Sequence, residues 1–158
     1  MKKVFFLLFF ATSFIQAQKL IPNIELKNED GKAVNISKQE NSAIKVYSFW
    51  ATWCVPCINE LDAINENYED WKNEVNFDLI AVSIDDARTS SKVMPLLNGK
   101  EWEFDVLFDT NHKLKRALNI DTIPYLIIVK DNKIVYEHLG YTPGFEFDLF
   151  EKIKNLDK

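Results

Sequence analysis

Residues 44–61, IKVYSFWATWCVPCINEL, contain the two patterns from which the rest of the fold can be predicted. Residues 44–50 are mostly apolar, aromatic or β-branched, which is typical of a buried strand. Over about residues 56–73 the apolar side chains recur every three or four positions, which predicts an amphipathic helix. The two cysteines of the chain, Cys54 and Cys57, therefore lie where a buried strand passes into a helix.

The remaining pattern predicts strands that alternate with helices. Asp30-Gly31 and Asp131-Asn132 are turn sequences that predict two hairpins. The expected strands lie at 24–26, 33–36, 77–84, 104–108 (a short strand or extended loop), 125–129 and 134–138, and the helices at 85–97, 111–118 and 145–156. Alternation of this kind predicts parallel crossover units, and the closing hairpin makes the sheet mixed. The predicted class is α/β, with helices on both faces of a central mixed sheet and an N-terminal β-hairpin.

The first residues have the layout of a secretory signal peptide. Lys2 and Lys3 precede an apolar run that ends near the small residue Ala17. This run is well short of the roughly 20 residues that span a bilayer as a helix. We therefore predict a signal peptide at 1–17, cleaved after Ala17, and one domain at 18–158 that is exported to the periplasm or cell envelope. The alternative is an uncleaved membrane anchor.

Composition excludes several classes of protein. Hydrophobic residues make up 47% of the 158 residues, enough for a packed core rather than a disordered chain. The formal net charge of -5 argues against a nucleic-acid partner, which would need a basic surface.

Two cysteines three positions apart point to redox chemistry. A structural disulfide stabilises mainly by closing a long loop of the unfolded chain, and this loop is very short. The thiolate is the form that attacks a disulfide, and the positive end of a helix dipole stabilises an anion. Cys54 is therefore predicted to be the exposed nucleophile, and Cys57, one turn further, the buried resolving cysteine. Pro56 suits the first helical turn because its missing N–H costs nothing there.

Other uses of the cysteine pair remain open at this level. Structural zinc sites take four ligands, and beyond the cysteines the chain offers His112 and His138, which we interpret as ordinary surface or edge residues. No metal site is therefore predicted. One alternative is a purely structural bridge. Another is a copper-handling module that uses the two cysteines as soft sulfur ligands. Such modules usually add a nearby His or Met, and Met94 lies far along the chain.

Two motifs carry a resemblance to a known family. WATWCVPC at residues 50–57 resembles the active-site motif of the thioredoxin superfamily. IDTIPYLIIV at residues 120–129 resembles its second landmark, a strand opened by a cis-proline. The resemblance covers nearly the whole mature chain and is greatest to the exported TlpA/ResA-like branch. It implies a thioredoxin-like fold and thiol–disulfide oxidoreductase activity, and the same fold also hosts thiol peroxidase-like enzymes as an alternative.

The resemblance also implies the surroundings of the cysteines. Pro124 would be the cis-proline, and the backbone of Ile123 would pair with a substrate strand. Trp53 would be an exposed platform beside the nucleophile, whereas Trp50 is as readily explained by core packing. Tyr125 stands where a Thr is often found. The predicted substrate-binding residues are Trp53, Val55, Pro56, Ile123 and Tyr125.

Two further positions fit the ResA-like branch. Thioredoxins carry a buried Asp where this chain has Ser48. ResA-like proteins instead resemble this chain in having a Glu three residues after the second cysteine, which is Glu60 here. Residues three apart on a helix are neighbours, so Glu60 is expected beside Cys57. A partly buried carboxyl there would have a raised pKa and could accept the Cys57 proton as general base. The alternative is a solvent-facing Glu60.

The dipeptide between the cysteines bears on the direction of electron flow. Val55 and Pro56 supply no charge to stabilise the thiolate, which favours a reducing to intermediate potential. Together with this dipeptide, the resemblance to the ResA-like branch implies the partners: disulfides of exported proteins, including apocytochrome c before haem attachment, and a membrane protein that donates electrons. No cofactor is expected beyond the Cys54–Cys57 disulfide itself.

Overall fold

The computed structural model describes residues 19–38 and 44–158. The predicted signal peptide at 1–17 and its cleavage after Ala17 lie outside these residues. Within the described ranges, no helix combines the length and the apolar character needed to cross a membrane.

Seven strands and four α-helices make up the described part of the chain. In chain order they are β1 (Glu25–Asn28), β2 (Ala33–Asn35), β3 (Ile44–Trp50), α1 (Val55–Glu74), β4 (Phe77–Ser83), α2 (Val93–Lys100), β5 (Asp105–Phe108), α3 (Lys113–Ala117), β6 (Tyr125–Lys130), β7 (Lys133–Leu139) and α4 (Phe145–Asp157).

The strands form one sheet in the order β2-β1-β5-β4-β3-β6-β7. β3 runs parallel to β4, and β4 runs parallel to β5, whereas β6 is antiparallel to β3. Parallel neighbours need long crossover connections, and α1 lies in the first of them. Every residue of β3 is buried, as expected of a central strand covered on both faces. The predicted α/β fold with a central mixed sheet is confirmed.

Both predicted hairpins are present. β1 pairs with β2 around the turn that contains Gly31, whose φ of 75° is readily adopted by glycine. β6 pairs with β7 around Asp131 and Asn132, whose φ angles of 51° and 61° are those of the tight turns that join antiparallel strands. β1 also pairs antiparallel with β5, so the N-terminal hairpin extends the central sheet.

One helix prediction is wrong. The sequence predicted a helix over 85–97, but the chain turns after β4, forms a short 3-10 turn at Ser90–Lys92, and enters α2 at Val93. Pro95 explains part of the difference. In a helix over 85–97 its ring would interrupt the hydrogen-bond ladder, whereas in α2 it is the third residue, where no helical bond is lost.

α1 and α4 pack together beside β3, and this packing surrounds the candidate site. The buried face of α1 includes Leu61, Ile64 and Trp71. Trp71 stacks on Phe150 of α4 with ring centroids 4.6 Å apart. Because Glu60 lies next to this apolar face, its side chain is drawn into the layer between α1, β3 and α4.

Candidate active site

The two cysteines form a disulfide at the start of α1, with their Cα atoms 5.3 Å apart. Cys54 is the N-cap residue, Pro56 is the second helical residue and Cys57 is the third. The N–H of Cys54 donates to the carbonyl of Ala51 at 3.0 Å, and its own carbonyl accepts from the N–H of Ile58 at 3.2 Å. This tight turn places the disulfide at the positive end of the α1 dipole.

Cys54 is more exposed than Cys57, as predicted from the sequence, but both cysteines are buried. Cys57 is fully buried and Cys54 is 6% exposed, so the description of Cys54 as an exposed nucleophile is wrong for the disulfide form. The turn through Ala51 draws Cys54 into the continuous apolar core. Its neighbours Trp53 and Val55 are 60% and 65% exposed, and they present an apolar surface around the disulfide.

A buried carboxylate holds the loop that leads to Cys54. Asp85 is 1% exposed and follows β4. Its Oδ2 accepts from the backbone N–H of Thr52 at 2.8 Å, and its Oδ1 accepts from the Thr52 hydroxyl at 2.7 Å. The hydroxyl of Ser83 also donates to Oδ2, at 3.0 Å. Asp85 therefore joins the end of β4 to the redox loop after β3.

Replacing Asp85 with alanine is expected to lower the free energy of unfolding by about 2–3 kcal/mol. The substitution leaves the two Thr52 donors and the Ser83 hydroxyl without their acceptor. Asp85→Asn keeps one acceptor oxygen on a side chain of nearly the same shape, so it should lower the free energy of unfolding by less. Urea unfolding of the oxidised protein measures both variants.

The matched control is Asp86→Asn, at the next residue. Asp86 is bound to the exposed side chain of Arg88, so its loss should change stability little. An Asp85→Ala variant no less stable than Asp86→Asn would contradict the assigned role of Asp85.

The second landmark lies at the same end of the sheet. The peptide bond between Ile123 and Pro124 is cis, as the resemblance predicts. Tyr125 opens β6 and pairs with Phe49 near the end of β3. Because Cys54 follows β3 closely, the cis-proline loop and the disulfide share one end of the sheet. Pairing of the Ile123 backbone with a substrate strand stays a prediction.

A cavity of about 310 Å³ opens beside the redox loop, with Trp53 and Ile123 in its lining. Ile84 adds an apolar wall, and the exposed Arg88 lies in the lining together with its ion-pair partner Asp86. His112, predicted as an ordinary surface or edge residue, is half-buried in this lining. The turn before α3 folds its ring back onto the end of β4, where Nε2 lies 2.8 Å from the carbonyl oxygen of Ile84.

Tyr125 is tied to the neighbouring strand. Its hydroxyl donates a hydrogen bond to Oε2 of Glu137 on β7. Burial and the Glu137 carboxylate raise the pKa of Tyr125 to about 12. Lys19 reaches the same carboxylate, with Nζ 3.2 Å from Oε1. The Tyr125 hydroxyl is therefore committed within the protein, and a contact of its ring with substrate stays a prediction.

Glu60 is completely buried, so the solvent-facing alternative is wrong. The hydroxyl of Ser48 donates to its Oε2 at 2.9 Å, whereas Oε1 has no hydrogen-bond partner among the described residues. Burial raises the pKa of Glu60 to about 7; the bond from Ser48 opposes this rise and the charge of Glu146 adds to it. Cys57 lies three residues earlier on the same buried face of α1, the spacing at which helical side chains are expected to be neighbours.

The other residues considered from sequence lie in ordinary packing environments. Trp50 is fully buried and its ring meets that of Trp102 edge to face, at 5.1 Å between centroids. His138 stacks on Phe145 at 3.8 Å. Across residues 19–38 and 44–158, no group of three or more His, Cys, Asp or Glu side chains could hold a metal ion.

Sequence reasoning missed three polar contributors to the site, namely Thr52, Asp85 and Glu146. A signal for Asp85 was available. The carboxyl ends of parallel strands meet at one edge of a sheet, so an acidic residue directly after β4 is expected near the loop after β3. Thr52 carries no comparable signal, because its partner Asp85 lies 33 residues further along the chain. For Glu146 a place in the first turn of a helix could be predicted, but not its proximity to Glu60 on α1.

Comparison with known proteins agrees with this geometry. Residues 17–138 match the AhpC/TSA family. The thiol-disulfide oxidoreductase ResA of Bacillus anthracis is 28% identical over 127 residues, which cover 80% of this chain and 71% of that protein.

Two solved structures illustrate the likeness in fold. The solution structure of a thioredoxin-like protein from Porphyromonas gingivalis is 47% identical with a TM-score of 0.75, and covers 87% of this chain and 91% of that chain. StoA from Bacillus subtilis has a TM-score of 0.67 at 20% identity, and covers 82% of this chain and 98% of that chain. At that lower identity the likeness concerns the fold alone.

Proposed function

The chain belongs to the AhpC/TSA family of thioredoxin-like proteins and is a thiol–disulfide oxidoreductase, and we propose that it reduces disulfides of exported proteins. What carries the proposal is the position of Cys54, the N-cap of α1, in a disulfide with the buried Cys57. The predicted signal peptide and the resemblance to the ResA-like branch support the exported setting.

The reaction begins from the reduced pair. The thiolate of Cys54, stabilised by the α1 dipole, attacks one sulfur of the substrate disulfide. The substrate S–S bond breaks, a mixed disulfide forms with Cys54, and the other substrate sulfur leaves and takes up a proton. The thiolate of Cys57 then attacks the sulfur of Cys54 and releases the second substrate thiol. Two electrons pass to the substrate, and the Cys54–Cys57 disulfide remains.

Glu60 handles the proton of Cys57 in this proposal. Its Oε2 is held by Ser48, which leaves Oε1 for exchange with the neighbouring thiol. A pKa of about 7 lets the carboxyl both hold and release a proton near neutrality. When an electron donor reduces the disulfide, protonated Glu60 gives its proton to the departing Cys57 sulfur. When Cys57 attacks the mixed disulfide, the carboxylate takes that proton back.

The surface around Cys54 suits a polypeptide substrate. Trp53 and Val55 are exposed and apolar, and the cavity between Trp53 and Ile123 has room for a side chain next to the substrate cysteine. Ile123 shares the cavity lining with Trp53, at the end of the sheet that carries the disulfide, and an extended substrate segment would pair with its backbone there. Pro56 and Tyr125 complete the proposed contact surface.

The direction of electron flow is proposed from the dipeptide between the cysteines. Val55 and Pro56 bring no charge near Cys54, so we expect a reduction potential nearer thioredoxin's roughly -270 mV than DsbA's roughly -120 mV. A reductant in an oxidising compartment needs its own source of electrons, and the resemblance to the ResA-like branch implies a membrane protein as that source. The resemblance to ResA-like proteins adds apocytochrome c before haem attachment as a substrate, and the disulfide is proposed to be the sole redox group.

The reduction potential of the mature domain tests this proposal directly. Equilibration in dithiothreitol or glutathione buffers, followed by counting of free thiols, should give a reversible two-electron couple close to that of thioredoxin. A potential close to that of DsbA would contradict the reductant role. If no reversible two-thiol couple is found and the protein binds Cu(I) tightly, the proposed reductase would be wrong and a copper carrier would be favoured.

The substrate is tested with disulfide peptides. An oxidised peptide carrying the C-x-x-C-H haem-attachment sequence is compared with the same peptide in which Ala replaces His. Faster reduction of the C-x-x-C-H peptide supports apocytochrome c. Equal rates would contradict that substrate and retain a general reductant of exported proteins.

A further inference from the structure

A second buried carboxylate lies in the layer that encloses Glu60. Glu146, in the first turn of α4, is 8% exposed. Its Oε2 accepts hydrogen bonds from the backbone N–H of Gly144 at 2.9 Å and from the Tyr141 hydroxyl at 3.2 Å. α4 packs against both β3, which carries Ser48, and α1, which carries Glu60. The two carboxyl groups are therefore buried in one interface of three elements.

The surroundings of the two carboxyl groups are unequal. Glu146 receives two hydrogen bonds and stands at the positive end of the α4 dipole. Glu60 receives one hydrogen bond, from Ser48, and its other oxygen has no partner among the described residues. Two negative charges in one low-dielectric layer repel, so the proton is retained by the group with the poorer solvation, Glu60.

We propose that Glu146, held by Tyr141 and Gly144, is a positioning residue that keeps the proton on Glu60 until Cys57 leaves the disulfide. The proposal rests on the proposed exchange of a proton between Glu60 and Cys57. It also assigns the charge that opposes ionisation of Glu60 to a residue on a different element, 86 positions further along the chain (146 - 60).

The groups that face Glu60 come from every element packed against it. They are Ser48 from β3, Cys57 from α1, and Tyr141 and Glu146 from the α4 side. Burial raises the pKa of Tyr141 to about 12, so its hydroxyl stays neutral at pH values near neutrality. Among these groups, Glu146 is the one whose negative charge raises the pKa of the Glu60 carboxyl.

The decisive variant is Glu146→Gln. Glutamine keeps an acceptor oxygen for the Gly144 N–H and the Tyr141 hydroxyl, so the helix start is preserved while the charge is removed. The titration of the Glu60 carboxyl is followed in the oxidised, mature domain by carbon-13 NMR of its side chain. We expect its midpoint to fall by roughly half a pH unit or more, as for loss of a like charge within one buried layer.

Two further variants complete the series. Asp148→Asn removes a charge from the same helical turn, but Asp148 is exposed, and the midpoint of Glu60 should not move. Tyr141→Phe removes one of the hydrogen bonds that hold Glu146 and no charge. With one donor lost, Glu146 competes better for the proton that the two carboxyl groups share. The Glu60 midpoint should therefore fall, but by less than in Glu146→Gln, and this variant provides the test if Glu146→Gln does not fold.

The outcomes separate positioning from simple capping of α4. If Glu146→Gln lowers the melting temperature but leaves the Glu60 midpoint where Asp148→Asn leaves it, the proposal is overturned. The titration is read in the disulfide form without any turnover. A failure of Glu60 as proton donor to Cys57 would therefore show in the kinetics of Glu60 variants and not in this midpoint.

Discussion

Cys54→Ser is expected to abolish disulfide turnover, whereas Cys57→Ser should stop the reaction at a mixed disulfide with the substrate. Cys54 is the N-cap of α1 and the more accessible of the two sulfurs, whereas Cys57 is completely buried. A substrate disulfide can therefore reach Cys54 first, and without Cys57 nothing within the protein resolves the product. Turnover in both variants should fall to the uncatalysed background rate.

The measurement is mass spectrometry under non-reducing conditions after incubation with an oxidised peptide. Cys57→Ser should accumulate one covalently bound peptide per chain, released by dithiothreitol. The two variants are matched controls for each other, because each removes one sulfur and the internal disulfide. Accumulation of the peptide on Cys57 in the Cys54→Ser variant would reverse the assigned roles.

The second large effect is expected at Glu60, in the pH dependence of stability. The pKa of its carboxyl rises from 4.5 to about 7 on folding, so the folded protein binds this proton more tightly than the unfolded chain. The resulting stabilisation is complete below about pH 4.5 and is lost as the pH rises through about 7. Between pH 5 and pH 8 the oxidised protein should lose about 2–3 kcal/mol through this group.

Glu60→Gln should remove this dependence of stability on pH, because the glutamine side chain has no titratable proton. The free energy of unfolding is measured in urea at several pH values, and the variant is subtracted from the parent protein to cancel the other titrating groups. Glu69→Gln, at an exposed position on the same helix, is the control and should keep the slope. Equal slopes in the parent and in Glu60→Gln would show that the buried carboxyl does not titrate as expected.

The same substitution should slow reduction of the Cys54–Cys57 disulfide by roughly 10²–10⁴-fold, the usual contribution of a positioned general acid. Glutamine cannot give a proton to the departing Cys57 sulfur. Stopped-flow reduction by dithiothreitol, with rates compared at equal thiolate concentration, measures the loss. A rate within a few-fold of the parent protein would remove Glu60 from the chemistry while leaving its effect on stability intact.

Local patterns were sufficient for most of the fold. The buried strand β3, the helix α1 and both hairpins depend on neighbours within a few positions, so residue type and spacing predict them. The helix expected over 85–97 is wrong because Asp85, directly after β4, is bound to a distant loop and because Pro95 fits the first turn of α2 rather than the interior of a longer helix. Asp85 satisfies Thr52, 33 residues earlier, and no local pattern reveals that bond.

In this protein, residue type and spacing predict a cysteine pair at a strand-to-helix junction in an α/β chain, and the resemblance to the thioredoxin superfamily predicts the cis-proline. How those groups are solvated depends on the packing of distant elements. This packing buried Cys54 as well as Cys57, paired Glu60 with Ser48, and placed Glu146 in the same layer. Helices and strands form through interactions between residues close in the sequence, so local patterns predict them. Burial and Coulomb interactions depend on distances through space between residues far apart in the sequence, so local patterns do not reveal them.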